Sequence, residues 1–81
     1  MIHIRVKLFA TLRKYAPGQG AAGAAFDLDL PDSSTLRDVT KLLRMPEEEV
    51  RICFVNGTIQ EVGFELQERD EVGIFPPIGG G

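Results

Sequence analysis

The most informative segment of the chain reads RDEVGIFPPIGGG and covers residues 69–81. Within it, residues 71–75 carry apolar side chains at alternate positions, which predicts a short β-strand with one buried face. Pro76 and Pro77 have no backbone N–H for a sheet ladder, so they end the strand and favour an extended path. We therefore predict a single domain over residues 1–75 and a flexible tail over residues 76–81.

The tail is suited to carrying its terminal carboxylate into a narrow channel. Six residues reach ~20 Å when extended, and Gly79, Gly80 and Gly81 present no side chain that would clash there. Ordering such a tail costs ~1–2 kcal/mol per residue, so a binding partner has to compensate. Ile78 favours that interpretation, because an apolar side chain gains nothing in a solvated tail. The competing interpretation is a frayed terminus without function.

Period-two patterns upstream predict the rest of a sheet. Residues 2–8 and 26–30 alternate apolar and polar side chains and are expected to form an antiparallel hairpin across a mobile, glycine-rich loop at 17–25. Residues 50–55 predict a third strand. Asn56-Gly57 predicts a tight turn that connects it to a return strand at 58–60. Residues 9–16 lose the alternation and form either a turn of helix or an ordered loop.

One helix is expected after the second strand. Thr35 and Asp38 have the spacing of a capping box, with Ser34 as a rival for the cap. The helix should bury an apolar face and end at Pro46; that face consists of Leu36, Val39, Leu42 and Leu43. Residues 47–49, all glutamate, predict a short acidic turn. One helix on one face of a mixed sheet is the economical two-layer arrangement, an α+β fold.

Composition excludes several classes of protein. The chain has 81 residues and a net charge of −3, which argues against a nucleic-acid or membrane surface as the main partner. A single cysteine and a single histidine argue against a disulfide framework and a multi-ligand metal site. No apolar run approaches a membrane span and no leader pattern precedes the first strand, so a cytoplasmic location is expected.

Four segments carry a resemblance to a known family: VKLFATLR at 6–13, TLRDV at 35–39, VNG at 55–57 and RDEVGIFPPIGG at 69–80. The chain resembles the ThiS/MoaD family of ubiquitin-like sulfur carriers, most of all the small subunits of molybdopterin synthases. The resemblance implies a β-grasp fold, with a mixed four- to five-stranded sheet and one main helix packed on one face.

The resemblance also implies a function. A ubiquitin-activating-type enzyme, using ATP and Mg, would adenylate the carboxylate of Gly81, or of Gly80 if one glycine is trimmed. A persulfide sulfur would then displace AMP and give a thiocarboxylate for the large subunit of a synthase or another acceptor enzyme. The chain would be a non-catalytic carrier with no cofactor or metal of its own, monomeric when free. Thiamin or cysteine synthesis, or protein modification, are the alternatives.

Within this scheme Gly79, Gly80 and Gly81 would thread into the partner. Four residues before them would contact it: Phe75, Pro76, Pro77 and Ile78. Phe75 could equally be the last core residue of its strand.

Other side chains have mainly structural interpretations. Cys53 is expected to be a partly buried thiol and His3 to face solvent. Arg5, Lys7 and Arg51 predict a modest basic strip on the outer face of the sheet. Three further residues either cap the core or extend an apolar patch near the tail, namely Phe9, Leu12 and Tyr15.

Overall fold

Five strands form one mixed sheet in the order β2-β1-β5-β3-β4. The computed structural model describes residues 1–17 and 25–77. The strands are β1 Ile2–Leu8, β2 Phe26–Leu30, β3 Ile52–Val55, β4 Thr58–Gln60 and β5 Glu71–Phe75. β1 runs parallel to β5, and the other neighbours are antiparallel. The predicted β1–β2 pairing is confirmed, from Ile2 opposite Leu30 to Val6 opposite Phe26. Most of the loop predicted to be mobile, residues 18–24, lies outside the described residues.

The α-helix in the described residues, α1 Leu36–Leu42, begins at the predicted capping box. The Thr35 side chain accepts a hydrogen bond from the Asp38 backbone N–H, and the Asp38 carboxylate accepts one from the Thr35 N–H at 2.8 Å. These contacts satisfy donors that the first helical turn leaves unpaired. The rival cap, Ser34, instead donates its hydroxyl hydrogen bond to the Pro31 carbonyl.

α1 ends earlier than Pro46, and the prediction that proline stops it was wrong. Arg44 adopts a left-handed conformation, with φ 61°. The Arg44 N–H donates to the Lys41 carbonyl and the Met45 N–H to the Thr40 carbonyl, at 3.0 and 2.9 Å. This pair of bonds is a Schellman motif, which closes the helix two residues before the proline.

The predicted burial of Leu42 was also wrong, because its side chain is 55% exposed. At 3.6 residues per turn, Leu42 lies roughly 110° away from the centre of the buried stripe. Thr40 takes the inward position instead and satisfies its hydroxyl by donating to the Arg37 carbonyl at 2.9 Å. Leu43 is half-buried beside the core.

The core lies between α1 and one face of the sheet. Alternate residues of β1 and β5 point into it, as their period-two patterns predict. Its most deeply buried side chains are Val6, Leu8, Leu12, Leu36, Val39, Leu66 and Ile74.

Short 3₁₀ helices lie at Ala10–Tyr15 and Glu47–Glu49. The first confirms the helical alternative for residues 9–16 and buries Leu12 completely. The second confirms the acidic turn. The Tyr15 hydroxyl donates a hydrogen bond to Glu49 Oε1 at 3.1 Å, which ties the two helices together.

Candidate functional site at the base of the C-terminal tail

β5, from which the tail departs, is held by neighbouring segments up to its last residue. It lies between β1 and β3 in the sheet. The Phe9 N–H donates to the Ile74 carbonyl at 3.1 Å, and the Arg51 N–H donates to the Phe75 carbonyl at 2.9 Å. The tail therefore starts from a backbone position that is fixed on both sides.

The predicted tail residues divide at Pro77. Phe75 is half-buried, Pro76 is buried and Pro77 is exposed. Ile78, Gly79, Gly80 and Gly81 lie outside the described residues, so their predicted threading and partner contacts stay predictions.

Three phenylalanines from distant parts of the chain meet beside Pro76, and we call Phe9, Phe54 and Phe75 the aromatic platform. The Phe9 and Phe75 rings stack with centroids 4.0 Å apart and planes 6° from parallel. Phe54 meets Phe75 edge-on, with centroids 5.5 Å apart at 74°. The edge-on geometry is favourable for the aromatic quadrupoles, and the parallel pair gains from close contact between the two rings.

The platform lies on the sheet face opposite α1. Val72 and Ile74 of β5 point into the core. Since side chains alternate between the two faces of a strand, Gly73 and Phe75 lie on the opposite face. Across the ladder Phe54 is paired with Gly73 and with Ile59. Ile59 is 61% exposed and extends the apolar surface to the edge of the sheet.

Gly73 makes room for the platform. A Cβ atom at this position would lie 3.3 Å from Phe9 Cε2. That separation is shorter than ordinary carbon–carbon contact. A side chain here would require Phe9 to shift by a few tenths of an ångström, so the platform is packed closely over Gly73.

Only part of the predicted basic strip borders the platform. Lys7 Nζ lies 5.3 Å from the centroid of the Phe9 ring, a cation–π distance. Arg5 lines the same surface cavity as Lys7, Phe9 and Phe54, and its Nε lies 3.5 Å from Asp27 Oδ1. Arg51 contributes its backbone N–H at the end of β5. The platform is thus apolar, with the basic side chains of Lys7 and Arg5 beside it.

The sequence indicated Phe75 but missed Phe54 and Ile59. Phe54 sits between Cys53 and Val55, both of which are buried, so the alternation in β3 would have placed it on the outer face. Its proximity to Phe9 depends on the strand order, which residue patterns do not reveal.

Cys53 and His3 lie away from this site. Cys53 is 3% exposed, and burial raises the pKa of its thiol, which keeps it protonated and unreactive near neutral pH. It is more deeply buried than predicted. His3 is exposed, as predicted, between Asp29 and Glu68. Within residues 1–17 and 25–77 no group of three or more potential ligands could hold a metal ion. In the same residues no helix is long and apolar enough to cross a bilayer.

Comparison with solved structures supports the fold. The chain resembles a Pyrococcus furiosus protein described as subunit 1 of a molybdopterin converting factor, with 26% identity, a TM-score of 0.74, and 96% of this chain and 100% of the other covered. It also resembles small archaeal modifier protein 1 of Haloferax volcanii, with 20% identity and a TM-score of 0.74. That match covers 96% of this chain and 100% of the modifier. A second structure of that modifier gives 21% identity and a TM-score of 0.71, and the match covers 98% of this chain and 99% of the modifier.

These neighbours confirm the predicted ubiquitin-like β-grasp fold. A comparison with curated proteins found no significant match. The sequence model of the ThiS family matches residues 6–81, which includes the platform and the glycine tail. Since that match spans nearly all of the sequence, this chain belongs to the ThiS family.

Proposed function

We propose that the chain is a sulfur carrier for molybdopterin synthesis and acts through its C-terminal glycine carboxylate. Members of this family generally work with an adenylating enzyme and a sulfur-accepting partner. The molybdopterin pathway is favoured by the likeness to the Pyrococcus furiosus protein. The observation that carries the proposal is the rigid end of β5, where a fixed strand passes directly into the Pro-Pro-Ile-Gly segment.

The chemistry needs activation because a carboxylate is a poor electrophile. A partner enzyme would transfer AMP from ATP to the terminal carboxylate and release pyrophosphate. A persulfide sulfur would attack the acyl carbon and expel AMP, and a thiol would then cleave the S–S bond to free the thiocarboxylate. ATP and Mg belong to the partner in this scheme, and the carrier supplies only the positioned terminus.

The aromatic platform would be the docking surface for these partners. Half-buried aromatic residues beside a fixed tail give a contact area with little further loss of side-chain entropy. Lys7 at its rim would add an ionic contact to an acidic group on the partner. Docking there would place the start of the tail at a constant position, so that tail length sets where the carboxylate arrives.

Tail length makes the identity of the reacting glycine important. Each added residue moves the terminal carbon by ~3.5 Å. We propose that the carboxylate of Gly81 reacts, or that of Gly80 after a peptidase has removed Gly81. Only one of these two tails would fit a given active site.

The proposal is tested by mass spectrometry of the protein purified from its native host. Trypsin cleaves after Arg69 and releases the peptide Asp70–Gly81, which contains no Met or Cys whose oxidation could imitate sulfur. Replacement of one terminal oxygen by sulfur supports the carrier function and identifies the reacting glycine. A chain extended by a C-terminal alanine is the matched control and should stay unmodified.

Other results would redirect the assignment. Isopeptide conjugates of this chain with lysines of other proteins would indicate a modifier, which shares the activated carboxylate. A sulfur-loaded tail that accumulates when thiamin or cysteine synthesis is blocked would identify one of those pathways instead. An unmodified terminus under all growth conditions, without conjugates, would contradict the proposal.

A further inference from the structure

β2 forms one edge of the sheet. Among the described residues it pairs only with β1, so the other side of Phe26–Leu30 presents backbone N–H and C=O groups without a strand partner. Such an edge is a template for an added strand. Its C-terminal end lies far from the tail, because β2 is antiparallel to β1 whereas β5 is parallel to it.

A groove of about 460 Å³ opens between this edge and α1. Its apolar lining comes from Leu30, Pro31 and Leu42. Leu42 is the apolar residue of α1 whose side chain is exposed. An exposed leucine at the wall of a groove beside an unpaired strand edge offers a place for an apolar side chain.

The surroundings of the groove are acidic. Asp29, Asp32 and Asp38 border it, and its lining contains no lysine or arginine. Asp32 is ion-paired with the amino group of Met1 at 2.8 Å. On the outer face of β2, Asp27 and Asp29 both project from the strand.

This charge pattern argues against a second copy of the chain as the occupant. If two β2 edges met, the carboxylates of Asp27 and Asp29 in one copy would face the same carboxylates in the other. Like charges opposite each other across strands are destabilising. A strand that carries basic side chains on that face would instead be attracted.

We propose that the β2 edge and its groove bind an extended segment of another protein in which basic and apolar residues alternate. Added beside β2, such a segment would direct its apolar side chains toward Leu42 and its basic ones toward Asp27 and Asp29. β1 already pairs with β2 in this way on the opposite side, where Arg5 faces Asp27 and His3 faces Asp29.

This surface is separate from the tail. The groove and the end of β5 lie at opposite ends of the sheet, so a partner bound to β2 leaves the aromatic platform and the C-terminal glycines accessible. The proposed binding at the β2 edge can therefore be tested independently of the proposed sulfur transfer.

The test uses the uniformly ¹⁵N-labelled full chain and a capped seven-residue peptide of alternating lysine and valine. We expect amide shifts concentrated in Phe26–Leu30 and around Leu42, with weaker binding at high salt. A peptide of alternating glutamate and valine should leave these signals unchanged. Shifts of similar size at the acidic 47–49 turn, or none in β2, would overturn the proposal.

Two variants separate the groove from general attraction to an acidic protein. Leu42→Glu adds a negative charge but fills the apolar site, and should weaken the lysine–valine peptide at least fivefold. Ile59→Glu adds the same charge at an exposed position on the opposite edge and should not weaken it. Tighter binding to the Leu42→Glu chain would show that charge alone drives the interaction, and would also overturn the proposal.

Discussion

Phe9 and Phe75 lie face to face, with ring centroids 4.0 Å apart and planes only 6° from parallel. The stack joins the residue that follows β1 to the last residue of β5, 66 positions later in the sequence. The Phe9 N–H reinforces it by binding the Ile74 carbonyl. The point from which the tail leaves is therefore fixed by side chains as well as by the sheet.

A double-mutant cycle measures this contact. Phe9→Ala and Phe75→Ala should each lower the free energy of unfolding, and the pair should show a coupling of about 0.5–1.5 kcal/mol, because each single change already breaks the stack. Urea unfolding of the four proteins gives the value. Phe26→Ala combined with Phe75→Ala is the control pair. Additive effects for Phe9 and Phe75 would show that the stack contributes no specific stability.

Three glycines provide a matched set of alanine substitutions. Gly73→Ala should destabilise the chain, because the new Cβ would lie 3.3 Å from Phe9. Gly57→Ala meets no atom within 4 Å, but φ is +85°, so we expect a loss of about 1 kcal/mol from backbone strain. Gly63→Ala has neither obstacle and should be neutral or stabilising.

The Gly73 change alone should also affect docking. It should weaken binding to the adenylating partner, because it displaces Phe9, while Arg37→Gly, a destabilising change in α1 on the other side of the sheet, should not. Thermal unfolding ranks the stabilities and calorimetric titration ranks the affinities. Equal affinities for the two variants would show that the platform does not contribute to partner binding.

Local patterns predicted the elements of this fold well. Alternation placed β1 and β2, and the Thr35–Asp38 spacing placed the start of α1, because these signals arise between residues close in sequence. The parallel pairing of β1 with β5 is long-range and has no local signature. The β-grasp fold was therefore inferred from family resemblance. The aromatic platform depends on that pairing, and the sequence indicated only two of its residues, Phe75 and, as one of two alternatives, Phe9.

Both errors in the prediction of α1 arise where this short helix departs from the usual sequence signals. Arg44 occupies a left-handed position that glycine usually takes, so no glycine marked the end of α1. Leu42 was assigned to the apolar face because it fits helical spacing. With only seven residues, however, the helix buries a narrow stripe, and Leu42 lies beside it.

Replacing Arg44 with glycine should stabilise the protein. Arg44→Gly keeps the Schellman hydrogen bonds and removes the steric cost of φ 61°, which we expect to add about 0.5–1 kcal/mol to the free energy of unfolding. Arg37→Gly, at an exposed position in the first turn of α1, is the control and should lower the free energy of unfolding by up to about 1 kcal/mol. Chemical denaturation of both variants checks the signs. A destabilised Arg44→Gly chain would mean that the arginine side chain makes a contact worth more than the strain.

Burial of Cys53 should make stability fall in alkaline solution. Desolvation raises the pKa of the folded thiol, so above about pH 8.5 the unfolded chain loses this proton while the folded chain keeps it. The contribution is fully present below the unfolded pKa and is lost as the pH rises toward the folded one. Between pH 7.5 and 9.5 the stability of the native chain should therefore decrease more than that of Cys53→Ala. Urea unfolding under reducing conditions measures both slopes, and parallel slopes would show that the thiol ionises equally well in the folded state.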